Sequence, residues 1–212
     1  MCAIAMLLVL QTASPQTAPP ARGPGSGREA ARITVKRGTD PKAAKVRRKP
    51  VATTVERLLA TRRPSDLPED TRSPKYDATR VQGLETTVWS VKARIVEIVL
   101  REDGDFYMVI EGANGGRTVA ECPDPKLCAG SAFLKEITTA RAALEAKFHP
   151  TKQTQRVNVP ATLIGVGYFG FQGRRVPAGA PQGSAVPNTA PGAVPPDKGN
   201  GARLMPLIGV KF

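Results

Sequence analysis

The segment from Thr86 to Arg101 constrains the fold more than any other part of the sequence. Its apolar and polar residues alternate with period two, which predicts a β-strand with one buried face. The phase of this alternation changes at Val96, as happens when a long strand carries a bulge and curls. One such strand contributes to two sheet faces, so the segment indicates a strongly curved β-sheet.

Two more strands and a helix are predicted after this strand. An Asp-Gly pair marks a hairpin turn, and a strand begins at Phe106. A glycine-rich turn over 112–116 precedes a third strand at Arg117–Cys122. Apolar residues at helical spacing then predict an amphipathic helix over Ser131–Phe148.

Two last strands are predicted at Arg156–Gln172 and Arg203–Phe212. The order β-β-β-α-β-β with a bent first strand is that of a mainly β, five-stranded OB-like barrel over 85–212. A small open antiparallel sheet backed by one helix is the alternative fold. Gly, Pro, Ala and Ser dominate 173–202, which predicts a long disordered loop between strands four and five.

Positive charge is concentrated outside the predicted barrel. The chain carries a net charge of +13, of which +9 lies in residues 1–84, zero in 85–172 and +4 in 173–212. Residues 15–84 are rich in proline and poor in large apolar residues, so we predict a disordered basic arm. This arm would attract an anionic partner such as a lipid, a glycan or a nucleic acid; a soluble tether is the alternative. Its densest basic run consists of Lys42, Lys45, Arg47, Arg48 and Lys49.

Residues 1–14 resemble the apolar region of a signal peptide, because eight apolar residues precede small polar residues and prolines. We therefore expect an exported or periplasmic protein, although no basic residue precedes the apolar run and a cytoplasmic protein is the alternative. The run is too short for a transmembrane segment.

Cys122 and Cys128 flank the passage from the third strand to the helix. In an oxidising compartment the pair would form a disulfide that closes a small loop. Two free buried thiols in a cytoplasmic protein are the alternative. The chain contains a single histidine and three cysteines, and this neighbourhood lacks the further ligands of a metal site.

Six residues are candidate binding residues. Tyr107 is the candidate platform for base stacking, since Phe106 shares its strand face with other apolar residues and is predicted to lie in the core. A basic patch on the polar strand face and two arginines at the root of the long loop are candidate anion contacts; solvated surface charge and a tolerated insertion are the alternatives. These cations are Lys92, Arg94, Arg117, Arg174 and Arg175.

Four carboxylates surround the first hairpin, and clustered carboxylates can bind calcium. A simple turn explains the Asp-Gly pair without an ion, and the other acids suit solvated positions. The acids are Glu102, Asp103, Asp105 and Glu111.

The stretch Val96–Asp105, which ends in DGD, resembles the thermonuclease family of calcium-dependent nucleases with OB barrels. That family continues with an arginine and an Asp-x-Pro-Glu element, whereas this chain has Arg117 and then CPDPK without the glutamate. We therefore predict no catalytic residue, metal or cofactor.

A second resemblance extends from about Thr87 to Phe212. The motifs TTVWSVKARIVEIVLREDGDFYMVI, AECPDPKLC, ITTAR, VGYFGF and LMPLIGVKF are similar to those of uncharacterised exported bacterial proteins with an OB-like domain. The resemblance implies the fold and export but no activity. Members of that group tend to carry histidine at the positions of Tyr107 and Met205, and a His-Gly pair near Gln172.

Taken together, the sequence predicts a non-enzymatic, exported binding module whose basic arm contacts an anionic partner at the cell envelope. A single-stranded nucleic-acid-binding OB protein is the first alternative. A calcium-dependent nuclease is a remote one.

Overall fold

The computed structural model describes residues 32–68, 75–170 and 200–212. In chain order these ranges form α1 (Ile33–Arg37), β1 (Arg47–Thr53), α2 (Val55–Leu59), β2 (Thr87–Leu100), β3 (Phe106–Glu111), β4 (Arg117–Cys122), α3 (Leu134–Phe148), β5 (Gln155–Phe169) and β6 (Ala202–Lys211). Short 3₁₀ turns occupy Ala43–Lys45 and Pro125–Leu127.

All six strands belong to one mixed sheet in the order β1-β2-β3-β4-β6-β5, and β5 pairs back onto β2. The strands β2, β3, β4, β6 and β5 therefore close a ring. β4 and β6 run parallel, the other neighbours in the ring are antiparallel, and β1 lies parallel to β2 outside the ring. The prediction of a mainly β, barrel-like fold is confirmed, but the described sheet has six strands rather than five.

The long first strand of the ring is irregular at the predicted place. The pairing of β2 with both β3 and β5 shifts register between Ile95 and Glu97. This shift explains the change of phase at Val96, because an extra residue exchanges the two faces of the strand. β2 can thus pair with β5 along most of its length and with β3 near its end.

Two apolar clusters lie on opposite faces of β3. Phe106 and Met108 belong to the main core, as predicted, and α3 packs there through Ile137 and Leu144. Tyr107 lies on the other face in a smaller cluster, since successive strand residues point to opposite faces. This second cluster contains Val35, Val99, Tyr107, Val109, Val119, Tyr168 and Met205.

The prediction that residues 15–84 are disordered is wrong for 32–68 and 75–84. β1 pairs with β2, and Val35, Val55 and Leu58 are fully or almost fully buried. The basic and proline-rich composition hid these scattered apolar residues. Several of the charges that argued for disorder are themselves buried in ion pairs with residues distant in the sequence.

Three predictions fall largely or wholly outside the described residues. These are the signal-like segment 1–14, the part of the arm before Arg32, and the long loop up to residue 199. The last strand begins at Ala202, one residue earlier than predicted.

Candidate functional site

Tyr107 is buried and does not provide an exposed stacking platform. It retains 6% exposure and packs in the second cluster with Val35 of α1. The guanidinium of Arg101 lies 4.4 Å from its ring centroid. The prediction of an exposed aromatic residue is wrong, because Tyr107 lies in an apolar cluster to which the N-terminal segment, expected to be disordered, contributes Val35.

The three cations predicted as a patch lie on β2 and β4, the two strands that flank β3 in the barrel. Lys92 and Arg94 are exposed on β2, and the Nε of Arg94 donates to Asn158 Oδ1 at 2.8 Å. Glu111 is the register partner of both Arg94 and Arg117, and its Oε2 lies 2.6 Å from Arg117 Nε. Glu111 therefore balances part of this charge, and ligand binding by these three cations stays a prediction.

The carboxylates predicted around the first hairpin separate into different environments. Glu102 is exposed and Glu111 pairs with Arg117, whereas Asp103 and Asp105 converge with Glu121, whose role the sequence analysis missed. One ligand oxygen from each of these three acids lies within 4.8 Å of the others. The strand register could have indicated this role, because Glu121 of β4 pairs with Tyr107 of β3, which is two residues after Asp105.

The ammonium of Lys36 lies among these three carboxylates. Its Nζ is 3.0 Å from Asp105 Oδ2 and 3.7 Å from Asp103 Oδ2, and it also contacts Glu121 Oε1. The Lys36 side chain is 6% exposed. We call these four residues the lysine cluster. Because an ammonium already supplies the positive charge, the cluster as it stands does not fit the calcium ion that the nuclease resemblance implies.

Burial and charge set the protonation of the lysine cluster. Burial, together with the neighbouring Asp105 and against the attraction of Lys36, raises the pKa of Glu121 to about 8. Burial acts in the same direction on Asp105, but there Lys36 prevails and the pKa is lowered. Burial disfavours the charged ammonium of Lys36, but the attraction of Glu121 and Asp105 outweighs this effect of burial and raises the pKa of Lys36. Lys36 therefore stays protonated at neutral pH and serves neither as a nucleophile nor as a base.

Two further buried ion pairs attach the N-terminal segment to the rest of the fold. Arg32 makes two contacts with Glu85, at 2.6 and 2.8 Å, and also donates to the carbonyl of Phe169. Arg80 Nη2 lies 2.6 Å from Asp40 Oδ2, and all four paired side chains have 0% exposure. Together with the lysine cluster, these pairs hold the segment in place.

The basic run of the sequence lies on the surface beside the start of α3. The guanidinium of Arg48 contacts Glu136 at 2.8 Å and lies 4.4 Å from the ring centroid of Phe133. Further back along the chain, the carbonyl of Gly38 accepts from Ala132 N at 3.0 Å. Both ends of the stretch 38–49 thus contact residues 132–136, which brings its cations close to those near the start of α3.

We call six exposed cations of this region the basic surface. Its members are Lys42, Lys45, Arg47, Lys49, Lys126 and Lys135. The stretches 38–49 and 126–136 contain two acids, Asp40 and Glu136. The first is buried against Arg80 and the second pairs with Arg48. Neither of these two acids therefore neutralises a cation of the basic surface.

The predicted disulfide is absent. Cys122 and Cys128 are free buried thiols. The Sγ of Cys122 faces α3, where it lies 3.8 Å from the carbonyl oxygen of Ile137, and Cys128 follows the 3₁₀ turn, which closes at Cys128 through its N–H. Burial raises the pKa of the two thiols to about 12 and about 11, respectively.

Arg174 and Arg175 lie outside the described residues. At the root of the same loop, Arg63 Nη1 donates to the carbonyls of Gly170 at 3.0 Å and of Asn200 at 3.3 Å. Arg63 thus ties the two described ends of the loop together. Arg63 belongs to the stretch that was predicted to be a disordered arm, so this role was not predicted.

Comparisons of the chain with protein-family models, with curated proteins and with solved structures give no match. Among the described residues, no helix has the length and apolar character needed to cross a membrane.

Proposed function

We propose that this chain is a non-enzymatic binding module in which an OB-like barrel carries a folded N-terminal segment, and that the basic surface binds an anionic partner. The observation behind this proposal is the set of six exposed cations, together with the pairing of both acids of the stretches 38–49 and 126–136 with arginines outside that set. Such a set attracts polyanions and releases their counterions on binding.

An OB-like barrel is part of the proposal. The ring order β2-β3-β4-β6-β5, the helix between β4 and β5, and the bulged first strand support it. The similarity to exported bacterial proteins over Thr87–Phe212 supports a place at the cell envelope. Tyr107 and Met205, where those proteins tend to carry histidine, are both in the second cluster.

Single-stranded nucleic acid is a less favourable partner for this barrel. Readers of this kind combine cations with exposed aromatic residues on the barrel strands. Tyr107 is buried in the second cluster, and Phe106 lies in the core. The cations of the basic surface lie on β1, on the segment before it and around the start of α3.

The cations of the basic surface also have a structural explanation. β1 is an edge strand of the described sheet, and Lys49 beside Pro50 is typical of edges that avoid pairing with other chains. Binding and edge protection give different results when the cations are neutralised, because edge protection alone predicts more self-association without a change in affinity for anions.

The test compares two variants of the full chain for binding to heparin and to vesicles containing phosphatidylglycerol. One variant replaces four cations of the basic surface with glutamine: Lys42, Lys45, Arg47 and Lys49. The matched control replaces four exposed cations elsewhere: Arg57, Arg62, Lys147 and Lys152.

At about 1 kcal/mol per cation near an anionic surface, the first variant should bind at least about a hundredfold more weakly, and the control much less so. The affinity of the wild type should fall as salt is added. If the two variants bind equally, or if salt leaves binding unchanged, the proposal is wrong.

A further inference from the structure

Two leucines are exposed beside cations of the basic surface. Leu127 has 43% exposure and follows Lys126, whereas Leu134 has 37% exposure and precedes Lys135. Within the described ranges, Phe212 is the other large apolar residue with comparable exposure. Each of the two leucines thus adjoins an exposed lysine in the sequence.

Successive turns hold the two leucines near each other and near the N-terminal segment. Hydrogen bonds from Cys128 N to Pro125 O and from Ser131 N to Cys128 O fold the chain between them. The hydroxyl of Ser131 donates to Arg37 O at 2.7 Å. The leucines and the stretch 38–49 therefore belong to one region of the surface.

The combination of leucine and lysine selects among anionic partners. Phosphates of a nucleic acid and sulfates of a glycan satisfy the cations but leave exposed leucines in water. A bilayer with anionic headgroups satisfies both, because apolar side chains enter the boundary between headgroups and acyl chains while lysines contact lipid phosphates.

We propose that this region docks on an anionic lipid bilayer, with Leu127 and Leu134 inserted at the headgroup boundary and the basic surface on the lipid phosphates. The proposal rests on the proposed function, since it uses the same cations. It specifies an anionic lipid bilayer as the partner, and it adds the burial of the two leucines as an apolar contribution to binding. Isolated exposed leucines are ordinary in proteins, so their contribution must be measured.

The experiment measures co-sedimentation of the full chain with vesicles of equimolar phosphatidylcholine and phosphatidylglycerol. The test variant carries Leu127→Gln and Leu134→Gln, and circular dichroism checks that it is folded. The matched control is Phe212→Gln, which removes an exposed apolar residue that packs on Phe148 at the other end of α3. Heparin binding is measured for each protein in parallel.

Because each leucine has less than half of its surface left to bury, the leucine variant should bind vesicles about tenfold more weakly. Its heparin binding and the vesicle binding of the Phe212 control should match the wild type. Equal vesicle binding by the leucine variant and the wild type would overturn the bilayer proposal while leaving the proposed function intact. Stronger binding of the wild type to a single-stranded oligonucleotide than to vesicles would also overturn it, in favour of nucleic acid.

Discussion

Replacing Lys36 with methionine removes the positive charge of the lysine cluster while keeping a side chain of similar length. Asp105, which is 0% exposed, then stays buried without a counter-charge, and so does Glu121, which is 5% exposed, at pH values above its pKa of about 8. Removing one partner of a buried ion pair costs about 3–5 kcal/mol. With a urea dependence of about 2 kcal/mol per molar, the midpoint of unfolding should fall by about 2 M.

The same variant should recover stability in acid. Without the ammonium, the pKa values of Asp105 and Glu121 rise, so both carboxyls become neutral at a higher pH than in the wild type, and the difference in stability should shrink as the pH falls below about 8. Urea unfolding followed by circular dichroism measures this at each pH. A loss below about 1 kcal/mol, or a loss that is the same at all pH values, would show that Lys36 does not balance these carboxylates.

A triple variant provides the control for this reasoning. Lys36→Met combined with Asp105→Asn and Glu121→Gln removes the charges of all three most buried members of the lysine cluster. Because replacing a whole buried ion pair with neutral residues is often neutral or stabilising, the triple variant should be more stable than Lys36→Met alone. Additive losses would mean that the three residues act independently.

Three further outcomes follow from the structure. The pKa of Glu121 is raised from 4.5 to about 8. The stability that this shift contributes at acid pH should therefore decline as the pH rises through about 8. The variant Glu121→Gln should not show this decline in urea titrations at successive pH values. Because Cys122 and Cys128 are free, dithiothreitol should leave the thermal midpoint unchanged, and a lower midpoint would reveal a disulfide. Gly167→Ala should destabilise the fold by about 1–3 kcal/mol in chemical denaturation, since its Cβ would lie 2.3 Å from the backbone oxygen of Leu84; an unchanged midpoint would contradict this packing.

Local patterns predicted the barrel because its strands and helix carry their own periodicity. The change of phase at Val96 located the bulge of β2, and helical spacing predicted a helix over Ser131–Phe148, of which α3 occupies Leu134–Phe148. The glycine at 104 has a φ of 85°, as the Asp-Gly turn required. These features depend on residues close together in the sequence, so no knowledge of distant contacts was needed.

The N-terminal segment and the lysine cluster depend on distant pairs, which local patterns do not contain. Lys36 meets Glu121 only after the barrel has formed, and Arg32 meets Glu85 across 53 positions. In the sequence these residues resemble solvated charges, which favour disorder. Tyr107 was predicted to be exposed for the same reason, since nothing in its strand indicated that Val35 of α1 would join its apolar cluster.

The contacts of α1 also determine when this protein can finish folding during synthesis. Val35 leaves the ribosome early, yet it packs with Tyr168 and Met205, which are translated much later. The ion pairs of its neighbours Arg32 and Lys36 also need later residues, because their partners include Glu85 and Glu121, so the nascent chain displays a charged, partly apolar segment before the barrel forms. We therefore expect the contacts of α1 with the barrel to form late in folding, because they join residues far apart in the sequence.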